Sequence, residues 1–312
     1  MTAWAYVAKR LLGAIPTLAV IIVLSFALTR LAPGGPFDEE QALPPEIRAN
    51  LQAAYGLDRP VIVQFGRYVG GLLRGDFGPS YKFRDFSVTE LIESGLPVSL
   101  AVGATALLLA LLIGVPAGAW SAVAHDRVID RVVMALAVAG ISMPVFVIAP
   151  MLALVFGIYL RWLPVAGWTT GRPLDLVLPV VTLALPIVAY VARLMRGSLL
   201  EVLRAPWIRA ARARGLSSRA VLLRHALPAA LLPVVSYLGP AAAAVLSGSL
   251  VVETIFGLPG MGRYLVQGAL NRDYTLVMGM VIVYATLMIA LNLIADLAYA
   301  WLDPRIRRER RP

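Results

Sequence analysis

Cysteine is absent from this 312-residue chain, so disulfides and thiolate metal sites are excluded. Histidine occurs only at His125 and His225, which rules out a His-Glu-x-x-His site or a histidine-built metal cluster. Lysine occurs only at Lys9 and Lys82, and neither follows a glycine. There is then no Gly-Lys-Ser/Thr phosphate loop, and the chain binds no ATP through one. Charge of either sign is scarce as well, at 15% of residues, against 59% hydrophobic residues and a mean hydropathy of +0.78. A soluble domain of this size does not carry so little charge with so many apolar runs, and the class is a polytopic helical membrane protein. The net charge of +10 does not indicate nucleic acid, because the arginines sit beside apolar spans, as membrane topology requires.

A spanning helix needs about 20 apolar residues at a rise of about 1.5 Å each. Six segments meet that length: Leu11–Leu31, Pro97–Val123, Val132–Leu160, Leu174–Leu194, Ala229–Val252 and Thr275–Leu302. The first is read as an uncleaved anchor, since its apolar run is long and no Ala-x-Ala site follows it. Lys9 and Arg10 hold its start in the cytoplasm. An even number of spans then places both termini there, and the segments on that side hold seventeen of the 28 basic residues. The fold class expected is all-α, with six transmembrane helices and cytoplasmic termini.

Four regions follow: an anchor span over 1–31, an external helical cap over 32–96, a transmembrane domain over 97–302 and a basic cytoplasmic tail over 303–312. In the cap, Ala32-Pro33-Gly34-Gly35-Pro36 breaks the first helix and the acidic trio Asp38, Glu39 and Glu40 follows. Helices are expected from Pro45 to Tyr55 and from Gln64 to Leu73. The cap is too small for a core of its own and is expected on the outer membrane surface.

Within the transmembrane domain, residues 195–228 form a polar loop. Eight arginines and one glutamate lie between Arg193 and Arg224. Each central Arg costs about 2.5–3.5 kcal/mol on membrane-insertion scales, so this piece belongs in water. Pro206 suits the first turn of a helix that runs to about Arg214, with Arg209 and Arg212 on one face. Gly215 ends it as a C′ glycine, and Ser217 or Ser218 caps a second helix to His225. The result is a helix–glycine–helix elbow, with Pro228 opening the fifth span.

This elbow resembles the EAA loop of ABC import permeases. There the pattern is Glu-Ala-Ala, three residues, Gly, nine residues, then Ile-x-Leu-Pro. Here Arg209-Ala210-Ala211, Gly215 and His225-Ala226-Leu227-Pro228 stand at the same spacing. Arg for Glu and His for Ile resemble the dipeptide/oligopeptide branch. The resemblance runs along the chain through Tyr55-Gly56-Leu57-Asp58-Arg59-Pro60, through Gly75-Asp76-Phe77-Gly78-Pro79-Ser80 and through Val251 to Gly262. It closes with Asn292-Leu293-Ile294-Ala295-Asp296 and Asp303-Pro304-Arg305. The long segment after the first span is similar to that of the B-type member of the usual permease pair. Gly35 departs from the family's usual Asp.

The resemblance implies a type I ABC importer permease fold in a bacterial inner membrane. It implies ATPase coupling through Arg209, Ala210, Ala211, Arg212, Gly215, Leu216, Ser217 and His225. It also implies a second homologous permease, two cytoplasmic ABC ATPase subunits that bind ATP-Mg, and an external solute-binding protein. No cofactor, metal or catalytic residue is expected in this chain. Peptides are the expected cargo; nickel complexes, glutathione and sugars share the same permease plan. An ion-coupled secondary transporter would want charges at the membrane midplane, which the spans lack apart from Asp296 near one end. A passive channel would leave the elbow without a purpose.

Other residues keep two readings. Ser236, Ser247 and Ser249 either line a translocation path or bond their own helix carbonyls. Asn292, Asp296 and Tyr299 share one face of the last span and form either a structural network or part of that path. Glu253 and Arg263 form either a structural ion pair or part of an outer gate. Gly257 to Gly262 reads as an outer hairpin rather than a phosphate loop. Asp126-Arg127 and Asp130-Arg131 read as a solvated charged turn on the inner side.

Overall fold

The computed structural model describes residues 3–31, 56, 58–83, 85–169 and 172–302, with the backbone alone for 3–9 and 299–302. The helix expected from Pro45 to Tyr55, the acidic trio, Lys9, the Tyr299 side chain and the tail over 303–312 lie outside the described residues. The helices in chain order are α1 (Ala3–Leu31), α2 (Val61–Leu72), α3 (Val88–Val123), α4 (Val128–Ser142), α5 (Val145–Leu152), α6 (Leu174–Arg204), α7 (Pro206–Ala213), α8 (Ser218–Ala220), α9 (Leu227–Ala230), α10 (Leu232–Ile255), α11 (Met261–Leu270) and α12 (Tyr274–Leu302). A π-helical stretch, Ala153–Tyr159, continues α5, and another, Val221–Ala226, joins α8 to α9. Among the described residues, five helices are long and apolar enough to cross a membrane; α4 with α5 and its π extension pass the same test together as a bent pair, either a broken span or a re-entrant loop, for up to six.

Four of the expected spans differ in the structure. The second span was expected from Pro97, but α3 begins at Val88, so the division at 96/97 falls inside a helix. Ser87 and Glu90 start it with a capping box. The Ser87 N–H donates to Glu90 Oε2 at 2.7 Å and the Glu90 N–H donates to Ser87 Oγ at 3.2 Å. The third span, expected as one piece over Val132–Leu160, is bent by 105° at Met143-Pro144, because Pro144 supplies no N–H to continue α4. The fourth was expected to stop at Leu194, yet α6 runs to Arg204, carrying Arg193 and Arg196 with it. The fifth starts at Leu232 rather than Ala229.

The chain divides into two compact units, Met1–Arg10 with Ser99–Leu258 and Met288–Pro312, and Leu11–Val98 with Pro259–Leu287. In the first, α6 is the central helix, with Leu183, Ala184, Val191, Ala192, Met195 and Leu199 buried along it. Lipid tails are as apolar as these side chains, so close backbone approach rather than water exclusion holds such helices together. Gly118 of α3 shows it: a Cβ there would overlap the Ala192 carbonyl of α6.

In the second unit, α2 packs on α1 through aromatic rings. Phe65 meets Phe26 edge-on at 5.2 Å and Tyr68 stacks on it at 6.4 Å. Asp273, fully buried just before α12, organises the chain opposite. It accepts the Ser80 hydroxyl at 2.5 Å and the N–H groups of Tyr81 at 3.1 Å, Lys82 at 3.2 Å and Leu276 at 3.2 Å. One carboxylate thereby caps α12 and fixes the bend at 80–82.

Candidate functional site

The elbow begins where α6 ends. Ala205 is extended (φ −64°, ψ 145°), and Pro206 opens α7 at its first position, where its missing N–H costs nothing. Ile208 is the one buried residue of α7 and is fully covered. Arg209, Ala210 and Arg212 are exposed and Ala211 is half-buried; Trp207 and Leu216 are apolar side chains 46% and 41% exposed. A two-turn helix with one fully buried residue and most of its surface outward is built to be covered by something else.

Gly215 closes this helix. Its φ of +82° lies in the left-handed region, and a Cβ there would meet nothing within 4 Å, so the glycine serves backbone conformation rather than space. The N–H of Gly215 donates to the Arg212 carbonyl at 2.9 Å and that of Leu216 to the Ala211 carbonyl at 3.4 Å, the paired bonds of a Schellman cap. Ser217 then caps α8 by accepting the Ala220 N–H at 3.3 Å. The return helix expected as far as His225 continues as a π turn, which carries exposed Arg224 and His225. All eight residues expected to couple to an ATPase therefore fall on this elbow, seven of them between Arg209 and Ser217.

Nine residues before the elbow begins, α6 meets an ion-pair cluster in place of the solvated turn expected at Asp126 to Arg131. Asp130 is 2% exposed. Arg196 of α6 grips it at two points, Nε to Oδ1 at 2.6 Å and Nη2 to Oδ2 at 2.7 Å. Ser121 donates to Oδ1 at 2.5 Å and the Asp126 N–H to Oδ2 at 3.0 Å. His125 Nδ1 stands 3.4 Å from Oδ2. The donor atoms of His125, Asp126 and Asp130 lie within 4.8 Å of one another, a spacing a metal could use. Both Asp130 oxygens already accept from a guanidinium, however, so the cluster is an ion pair with satisfied lone pairs.

The residues expected along a path separate on α10. Pro233, Ser236, Pro240, Ala244, Ser247, Val251 and Thr254 are exposed, at intervals of three and four, and form one stripe in which the hydroxyls of Ser236, Ser247 and Thr254 alternate with apolar side chains. Ser236 donates to the Leu232 carbonyl at 3.0 Å. Ser249 is not on this stripe; it is 1% exposed and donates to the Leu246 carbonyl at 3.0 Å. On α12, Asn292 lies against Gly239 of α10, where a Cβ would come within 2.5 Å of its Oδ1. Asp296 pairs with Arg10 of α1 at 2.7 Å. Glu253 is fully buried near the end of α10 in the first unit, and Arg263 is half-buried in α11 of the second.

Residues 114–308 match the family described as "Binding-protein-dependent transport system inner membrane component". The chain belongs to this family. The permease is 49% identical over 302 residues to the oligopeptide transport system permease protein OppB of Haemophilus influenzae, covering 97% of this chain and 99% of that protein. Identity and coverage are the same against OppB of Escherichia coli. Against the dipeptide transport system permease protein DppB of Bacillus subtilis the permease is 41% identical, covering 97% of each chain. Among solved structures, the inward-facing MetNI methionine ABC transporter matches with a TM-score of 0.55 at 19% identity, over 68% of this chain and 96% of that one. The permease thus shares the ABC importer permease fold.

Two features of the permease escaped the sequence reading. The Asp130–Arg196 pair joins residues 66 apart, and no short motif announces it. The start of α3 was legible in Ser87-Val88-Thr89-Glu90, a capping-box spacing nine residues ahead of the apolar run.

Proposed function

We propose that this permease is one membrane subunit of an ATP-driven peptide importer, and that it pairs with a second, homologous permease. In this reading α7 and the turn through Ser217, with His225 on the return, dock into two-subunit ATPase machinery that binds ATP-Mg. A solute-binding protein delivers cargo on the opposite side, and both termini face the cytoplasm. The chain itself makes and breaks no covalent bond. Closure of the ATPases moves the elbow, and α6, continuous from Arg204 back to Leu174, transmits that motion into the membrane.

The observation that carries the reading is the elbow: an exposed helix with Ile208 as its one buried residue, stopped by a left-handed glycine. Relatives named for oligopeptide and dipeptide transport support peptides as cargo. The exposed stripe on α10 supports Ser236 and Ser247 as path residues. The contacts of Ser249, Asn292 and Asp296 favour packing roles for those three.

Reconstitution tests it. The permease, its partner permease, both ATPases and the binding protein in vesicles should accumulate a labelled tripeptide only when ATP is present on the ATPase side. Accumulation without ATP, or none for any peptide while another cargo class is taken up, overturns the assignment.

A further inference from the structure

The second unit holds a cavity of mixed polar and apolar lining that the transport reading does not use. It measures about 180 Å³ and lies among the end of α1, α2, the segment from Asp76 to Tyr81 and the start of α12. That is well above the ~10–15 Å³ needed to seat one water. Three of its lining residues carry buried polar atoms that have no hydrogen-bond partner: Arg30 Nε, the Tyr68 hydroxyl and Thr275 Oγ1. Thr275 is 7% exposed. Burial raises the pKa of the Tyr68 phenol, which stays protonated and able to donate. Buried donors are nearly always satisfied in folded proteins, so three around one cavity point to a polar occupant.

The charge around the cavity gives the occupant's sign. The Arg30 guanidinium lies over the Phe26 ring at 5.2 Å and has no carboxylate partner among the described residues. Arg67 stands at the exposed rim. The acid among the lining residues described is Asp76, which already accepts the Gly78 N–H at 2.8 Å. Among the described lining residues, two guanidinium groups stand against one carboxylate, an excess of positive charge.

Position gives the source. Arg30 is the penultimate residue of the apolar span Arg10–Leu31, which sets it at the level where a membrane meets water. Beside it, α2 exposes Val61 and Ile62, and Leu73 just past its end is 85% exposed, as on a helix lying in that interface.

We propose that this cavity binds a phosphate-type oxyanion, held by Arg30 with Tyr68 and Thr275 donating, and that its source is a phospholipid headgroup. Arg67 adds attraction from the rim. A free phosphate ion shares the chemistry and is separated by experiment.

The full-length permease, purified in detergent, is examined by native mass spectrometry with added phosphatidylglycerol or with diacylglycerol, which lacks the phosphate. A thermal-shift titration of the delipidated protein with inorganic phosphate runs in parallel. One phosphatidylglycerol per chain should survive activation that strips diacylglycerol. Arg30→Gln should weaken retention about tenfold or more, the scale of a lost charge-assisted hydrogen bond. Thr275→Val, close to the native shape, should weaken it less but measurably and guards against a folding failure of the first variant. Stabilisation by inorganic phosphate without selective lipid retention, lost in the same variants, supports the site with a soluble source. Equal retention of both lipids with no phosphate shift overturns the proposal and leaves the cavity to water. Binding unchanged in both variants overturns it too.

Discussion

Arg196 of α6 and Asp130 of α4 face each other as a fork on a carboxylate, with Nε 2.6 Å from Oδ1 and Nη2 2.7 Å from Oδ2. The pair fastens the α3–α4 turn to α6 shortly before that helix delivers the chain to the elbow.

Breaking one side leaves a buried charge without its partner. Arg196→Gln should lower the stability of the purified permease by about 2–4 kcal/mol, measured as urea or thermal unfolding in detergent. Asp130→Leu with Arg196→Met should recover much of that loss, since removing both charges removes the desolvation problem. A single variant as stable as the parent sinks the account of a buried, obligatory pair.

At Gly215 the backbone conformation, not space, is the constraint. Asparagine tolerates the left-handed region best among side-chain-bearing residues, alanine less and valine least. ATP-driven uptake should therefore fall in the order Gly, Asn, Ala, Val, with membrane insertion unchanged. Full uptake by Gly215→Val is the result that removes this glycine from the coupling argument.

The absence of native cysteine makes single-cysteine reporters clean. Arg212→Cys and Leu216→Cys, on the exposed elbow, should crosslink to an ATPase subunit carrying cysteines along its docking groove. Ile208→Cys, fully buried, should not. Crosslinks confined to positions outside 209–217 and 225 mean that the docking surface is elsewhere.

On α10 the same approach reads the path. Ser236→Cys, Ala244→Cys and Ser247→Cys should react with a small impermeant thiol reagent during turnover, and cargo should slow the reaction. Ser249→Cys should stay silent, being 1% exposed on the other side of the helix. Equal labelling at 247 and 249 dissolves the stripe.

Much of the elbow was legible before any coordinates, because its signals are local. A proline opens α7, a glycine closes it and a serine caps the next helix, and each acts within a turn of itself. The long apolar stretches were legible for the same reason, since length and apolarity are properties of a stretch. The kink at Pro144 carried a signal too, but a proline inside an apolar run bends a helix by an amount its neighbours decide, here 105°. The arginines were harder. Charge density alone places all eight between Arg193 and Arg224 in water, whereas Arg196 is spent on Asp130.

What the linear chain determined is what periodicity and local geometry dictate: a helical membrane protein with five or six spans and a polar elbow around Gly215. Which polar residue meets which partner was decided only in three dimensions. Asp130 with Arg196, Asp296 with Arg10, and the buried donors around the cavity at Arg30 each join residues far apart in the chain. A side chain's charge is written in the sequence, but its cost or use depends on what surrounds it, and only packing supplies that.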